Sequence, residues 1–310
     1  MEPANNQPKS QSFRFSAESG HIKMPSGRDI PFLISGIIGI GSSGPIIAKS
    51  LMPVPTLIFW RNLLGALIMA PFAIYRAEWK DKSQRVAIKW SILAGLLLGF
   101  HFIGFFQAMR LTSVASGTAI TALQPIFTAL FVRSTGSYIS KKSWVGMWIA
   151  FLSVLLISGI DLSISFQTFK GDMYALIGAA LAALYMIVGA KVQRDVSTST
   201  FTTVCYFFCA MTVLVIALLS NSPLTGFASG EWLLLALLIL GAQIMGHTMF
   251  NFSLKRVSPA VVSLVVFFEV PVSAILAFFW LDQTPPAAII PGLIGLIFGC
   301  TLFVLSSQRN

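Results

Sequence analysis

Charge is scarce in this sequence. Only 10% of the residues are charged, against about 25% in ordinary globular proteins, and 55% are hydrophobic. With a mean hydropathy of +0.81, a chain of this size would precipitate as a water-soluble fold. No polar stretch beyond the first 30 residues is long enough for a separate soluble domain. Cysteine is also rare. Cys205, Cys209 and Cys300 all lie in apolar runs, which gives neither a disulfide framework nor zinc-ligand spacing; they read as small packing residues. There is no Walker-type glycine loop, so ATP drive is not expected. No nucleophile–base set or metal-ligand cluster is recognisable, so neither an enzyme nor a cofactor is expected.

The net charge of +10 does not point to nucleic acid. The basic residues form short clusters at the ends of apolar stretches and no continuous face, which is the pattern that sets membrane orientation. Residues 1–29 are polar and mixed in charge, without the short apolar core of a signal peptide, and read as a flexible cytoplasmic tail.

A membrane-spanning helix needs roughly 20 mostly apolar residues. Ten such stretches can be marked, at about 31–50, 54–75, 87–109, 112–132, 142–160, 171–191, 199–219, 232–254, 258–280 and 286–306. Turn or charge signals separate them, among them Met52-Pro53-Val54-Pro55, the charged run Arg76 to Lys89, Ser134 to Ser137, and Asn221-Ser222-Pro223. If the N-terminus is cytoplasmic, 17 Lys and Arg fall in inside segments, and only Lys49, Arg110 and Lys170 fall in outside loops. That asymmetry predicts both termini inside.

The sequence also repeats itself. A shift of 146 residues places Gly95 on Gly241, His101 on His247, Phe106 on Phe252, Arg110 on Arg256, Pro125 on Pro271 and Gly146 on Gly292. Near the start of each half a shift of 142 works better, placing Gly36 on Gly178 and Ala48-Lys49 on Ala190-Lys191. The expectation is an all-α integral membrane protein of ten transmembrane helices, built as two five-helix repeats over 30–160 and 171–306. Because five is odd, the halves enter the membrane from opposite sides. Inverted repeats recur in secondary transporters, with the substrate near the midplane.

Lys170-Gly-Asp-Met-Tyr-Ala-Leu-Ile-Gly and the run to Tyr185, together with Gly246-His-Thr-Met-Phe-Asn-Phe-Ser-Leu-Lys-Arg-Val-Ser-Pro-Ala260, resemble the second repeat of EamA-like proteins in the drug/metabolite transporter superfamily. Phe268-Glu-Val-Pro-Val-Ser273, Trp280-Leu-Asp282 and Gly292-Leu-Ile-Gly295 continue the pattern, and Phe59-Trp-Arg61 and Gln124-Pro125 fit it in the first half. There are two departures. Val270 separates Glu269 from Pro271 where the family often has Glu-Pro. Gly136 and Ser137 occupy the place of an acidic residue that the family often carries after the fourth helix; Asp282 fits the matching place after the ninth. The resemblance implies a multi-pass carrier in the bacterial inner membrane that exports amino acids or other small metabolites without ATP. The partners expected are the lipid bilayer and a small-molecule substrate, with protons left open as a coupling ion. A homodimer is left open, as are an uncoupled facilitator, an importer and a non-transporting accessory or flippase subunit.

Polar groups inside a bilayer are costly and therefore functional candidates. Glu269, the one acid placed well inside an expected span, reads either as a proton-coupling or amine-binding group or as a structural carboxyl across the seam. His101 and His247 occupy equivalent places in the two repeats, with Asn251 one turn beyond His247. They either line a cavity or bond neighbouring helices. Gln107, Gln124 and Gln243 add amides. Arg61 could bind a substrate carboxylate, hold a gate, or snorkel its charge to the interface. Gly39, Gly41, Gly44 and Pro45 interrupt helix one, and Pro125 and Pro271 lie inside helices four and nine. Such breaks suit either a cavity lining or close packing. Helices five and ten, rich in Leu, Ile and Phe, are expected at the periphery.

Overall fold

The computed structural model describes residues 26–133, 140–253 and 265–307. The chain begins with α1 (Ile30–Gly41) and α2 (Ser43–Lys49), followed by α3 (Val54–Arg76) and α4 (Arg85–Leu111). After these come α5 (Val114–Thr121), α6 (Gln124–Arg133), α7 (Lys141–Ile164), α8 (Phe166–Val192) and α9 (Thr198–Leu219). The chain continues through α10 (Ser229–Leu238), a π-helical segment (Ile239–Thr248), α11 (Met249–Ser253), α12 (Glu269–Leu281) and α13 (Ile290–Ser307). Among the described residues nine helices are long and apolar enough to cross a membrane, and Glu269–Leu281 is a shorter apolar helix. The fold is all-helical, and the protein is a multi-pass membrane protein.

The expected interruptions have distinct local causes. Helix one breaks at Ser42, just before Gly44-Pro45, because Pro45 cannot donate to the helical ladder. A turn at Ala122-Leu123 precedes Gln124-Pro125, and a turn at Phe267-Phe268 precedes Glu269-Val270-Pro271. Under the 146-residue shift these two turns fall on almost the same place. Glu269 therefore opens a helix after a turn and does not lie within a continuous span. Asp282 closes α12 in a left-handed conformation, φ 51°, which Asp tolerates better than most residues.

One expectation is corrected. The connector placed at 161–170, with Lys170 in a loop, is helical: α7 runs to Ile164 and α8 starts at Phe166. Ser165 alone stands between them, and it caps α8 by accepting from the Thr168 backbone N–H at 3.0 Å. The polar run Asp161, Ser163, Gln167, Thr168, Lys170 read as a loop, but a helix can carry it where it leaves the apolar layer. Three other readings fall outside the described residues: the tail over 1–25, the break at 134–137 and the start of the ninth stretch.

Hydrogen bonds at the helix ends show which ends meet. At one end of the bundle Glu231 Oε2 accepts from Ser50 Oγ (2.6 Å) and the Leu51 N–H (2.9 Å). There too Arg110 donates to the carbonyls of Ile47 (2.7 Å) and Met52 (3.0 Å), and Trp60 Nε1 donates to the Leu224 carbonyl (2.7 Å). The Val114 N–H reaches Gln283 Oε1 at this end as well (3.3 Å). At the other end Glu78 caps α9, accepting from the Ser197 N–H (3.0 Å) and Oγ (2.9 Å). Burial alone would raise the Glu78 carboxyl, but hydrogen bonds from Thr200 and Ser197 and the nearby Arg76 charge outweigh it and hold the carboxyl below its usual range.

Close helix approach depends on glycine. A Cβ at Gly104 would lie 2.8 Å from the Tyr174 carbonyl on α8, and one at Gly146 2.6 Å from the Gly299 carbonyl on α13. Small residues at such crossings replace the hydrophobic drive that lipid does not supply. α7 and α13 pack together and present Trp148, Phe151, Leu152, Leu155 and Phe298 outward, each at least half exposed.

Candidate functional site

Arg61, two turns into α3, is the largest fully buried side chain, 2% exposed. It does not snorkel to an interface. Its Cζ lies 4.2 Å from the ring centroid of Phe102 and 5.7 Å from that of Phe106, both on α4. A guanidinium over an aromatic face recovers about 2 kcal/mol when desolvated. That is less than the several kcal/mol that burial of an ion costs, and among the described residues no acid makes up the difference. The groups acting electrostatically on Arg61 are Tyr206, Cys209 and Tyr185, none of them a carboxylate, and Nε has no hydrogen-bond partner. The stretches 134–139 and 254–264 contain no Asp or Glu in their sequence.

The histidines converge on the same place. The Phe102 ring that carries Arg61 on its face meets the His247 ring edge-on, centroids 6.0 Å apart. His101, the next residue on α4, has Nδ1 2.9 Å from the Gly178 carbonyl on α8 and stacks on Phe105 at 6.0 Å. α4 and α8 are thus joined through the His101 side chain as well as by the close approach at Gly104. Arg61 and His101 both act electrostatically on His247, so three nitrogen-bearing side chains from α3, α4 and the π segment share one neighbourhood.

Gln243 completes the set. Its amide abuts Gly65, one turn from Arg61 on the same face of α3. It is 1% exposed, and neither Nε2 nor Oε1 has a hydrogen-bond partner. A buried amide with both ends unsatisfied costs free energy that a bound ligand can return. Gln243 and His247 lie on the π-helical segment, whose wider turn is a frequent mark of functional sites. This segment packs against α1 at glycines: a Cβ at Gly39 would stand 2.5 Å from the Gly241 carbonyl and 2.6 Å from the Gly246 nitrogen.

The structure therefore brings Arg61, His101 and His247 together, with Gln243 beside them. Glu269 is not among the groups acting on Arg61 or His247. It stands one turn before Ser273, whose hydroxyl donates to the Gly41 carbonyl at 2.7 Å. Gln124 is half-buried at the start of α6, where its carbonyl accepts from the Thr128 hydroxyl at 3.0 Å. The Asn251 side chain lies outside the described residues. Gly44 packs against Val114 and Met109, and Pro45 is buried beside it. Pro125 and Pro271 each follow a turn within two or three residues. Among the described residues no three His, Cys, Asp or Glu side chains gather into a metal-binding group.

Two buried acids escaped the sequence reading: Asp161 and Asp172, 1% and 0% exposed. The signal was present, since Asp161 stands between Ile160 and Leu162 and Asp172 follows a glycine in the quoted repeat motif. Their place beside an assumed loop hid them.

Comparison with known proteins points one way. The EamA-like transporter family profile matches residues 30–159 and 169–305. YyaM, an uncharacterized transporter of Bacillus subtilis, is 27% identical over 66% of this chain and 70% of its own. An S-adenosylmethionine uptake transporter of Rickettsia felis is 24% identical over 81% of this chain and 83% of its own. The pseudopaline exporter CntI of Pseudomonas aeruginosa is 21% identical over 82% and 87%. One solved crystal structure superposes with a TM-score of 0.63 at 16% identity, covering 92% of this chain and all of the other; it speaks to the fold alone.

Proposed function

The chain belongs to the EamA-like transporter family, and from that membership and the buried Arg61, which meets aromatic rings but no carboxylate among the described residues, we propose that it is a secondary carrier for a small carboxylate-bearing metabolite, an amino acid or a related compound. It works by alternating access in the bacterial inner membrane, its two halves inverted and both termini in the cytoplasm. Arg61 holds the substrate carboxylate, since an anion is what a desolvated guanidinium lacks and Arg offers two parallel donors to it. Gln243, His101 and His247 supply directional hydrogen bonds, and Phe102 and Phe106 keep water out so that those bonds are strong. The relatives named for S-adenosylmethionine and pseudopaline are consistent with a small organic cargo. Glu269, apart from this cluster, fits a role at the inter-repeat seam better than one in holding the cargo.

The test is transport by the purified protein in proteoliposomes against a panel of amino acids and amino-acid-derived metabolites that includes S-adenosylmethionine. A carboxylate-bearing member should move, and Arg61→Gln should lower its kcat/KM by roughly 100-fold, the equivalent of about 3 kcal/mol for charge-assisted hydrogen bonds. If no member moves or binds, or if Arg61→Gln moves the carboxylate as the wild type does, the reading fails.

A further inference from the structure

Asp161 and Asp172 form a second polar cluster, away from Arg61, where α7 passes into α8. Asp161 lies in the last turn of α7 and Asp172 in the second turn of α8. Thr112, between α4 and α5, donates from Oγ1 to Asp161 Oδ2 at 3.3 Å. Asp172 faces Asp161, Thr112 and Ser158, yet neither of its oxygens completes a hydrogen bond, nor does the Ser158 hydroxyl. Its carboxyl is thus fully buried, aimed into the cluster and unsatisfied.

Among the described residues no cation balances the pair. Asp161 is the one charged group acting on Asp172. Among the helices packed on α8, α4 carries Arg110, which is committed to the carbonyls of Ile47 and Met52, and His101, which is held at Gly178. α5 contains no ionisable residue, and Arg133 and Lys141–Lys142 lie at the opposite ends of α6 and α7. On α8 itself Lys170 is exposed. Two buried carboxylates that face each other without a counter-charge disfavour double ionisation, and a single positive charge between them relieves it.

We infer that Asp161 and Asp172 together hold one exchangeable proton, with the hydroxyls of Thr112 and Ser158 as its hydrogen-bonding shell, and that its uptake and release are coupled to transport. On release the proton passes to water and the pair goes from one negative charge to two. The coupling rests on the carrier reading above; the shared proton does not. The site differs from Glu269, which has no second carboxyl beside it to split the proton with.

Infrared titration of the full-length protein in lipid nanodiscs tests the pair without any substrate. A protonated-carboxyl stretch that disappears as pH rises is expected in the wild type. The component due to the pair should be lost in Asp172→Asn, leaving any Glu269 signal, and should shift in pH midpoint in Asp161→Asn and in Thr112→Val, the last of which keeps both acids and guards against a variant that does not fold. A band unchanged in all three variants overturns the proposal. So does a band abolished by sodium at constant pH, which would make an alkali cation the occupant. In proteoliposomes an imposed pH gradient should accelerate substrate movement in the wild type but not in Asp172→Asn, and equal acceleration in both would sink the coupling. Absence of all wild-type transport would instead count against the carrier reading and leave the infrared result to judge the pair.

Discussion

A guanidinium stripped of water, with no acid beside it among the described residues, destabilises the protein that holds it, and in the proposed carrier the substrate carboxylate would offset that cost. Removing the charge relieves an ion's desolvation penalty of several kcal/mol, and loss of the aromatic contact takes back about 2 kcal/mol of that. Arg61→Met is therefore expected to melt at or above the wild-type temperature in detergent while binding no substrate. A clear drop in melting temperature would mean that Arg61 is structural. At this scale the sequence was half legible. A lone Arg in the apolar run Phe59-Trp60-Arg61 announces itself, and so do His101 and His247 in equivalent positions. Phe102 does not, because it is one of 26 Phe and nothing local marks the one whose face meets a cation. Nor could Gln243 be chosen over Gln107 or Gln124, since only the packing at Gly65 places its amide next to Arg61.

Hydropathy located the elements well because the apolar layer has a fixed thickness and each crossing must fill it. It located their ends less well. At 24 and 27 residues α7 and α8 are longer than the roughly 20 residues a crossing needs, and a backbone satisfied within its own helix does not need to stop where lipid stops. The π-helical turn of 239–248 was invisible for a related reason: an extra residue per turn leaves the apolar composition unchanged. The proline breaks were visible because the missing N–H is written in the sequence. Outside the membrane layer, Glu78 links the end of α3 to the start of α9. Its ionised form is favoured in the fold, so the stabilisation is present above the ordinary Glu value of about 4.3 and is lost as pH falls through the lower folded value. Thermal unfolding followed from pH 7 downward should show this loss in the wild type and a flatter profile in Glu78→Gln. Parallel profiles would mean that the cap contributes nothing measurable.

Across the whole molecule the two halves are related in sequence but not equally packed. A Cβ at Gly95 on α4 would stand 2.5 Å from the Cys205 carbonyl on α9. At the corresponding crossing of the other half, α3 and the α10–π helix part to leave a groove of about 440 Å³ lined by Leu64, Leu67, Ile68, Ala236, Ile239 and Leu240. A carrier with two exchangeable packings should close this groove in its other state. Cysteines at Leu64 and Ile239 are expected to cross-link in membranes during turnover and to arrest transport until reduced. Unimpaired transport by the fully cross-linked protein would mean that the groove is a static lipid contact.

The single residue Ser165 between α7 and α8 leaves the halves no slack at that point. If the halves rock as proposed, the joint would serve as a fulcrum and the rest of each half as a lever. α7 has 24 residues, which at 1.5 Å per residue makes an arm of about 36 Å. A tilt of only about 10° at Ser165 would then carry the far end of such an arm roughly 6 Å, enough to admit or shut out a small molecule. Asp161 and Asp172, four and seven residues from the fulcrum, would barely travel during the same stroke.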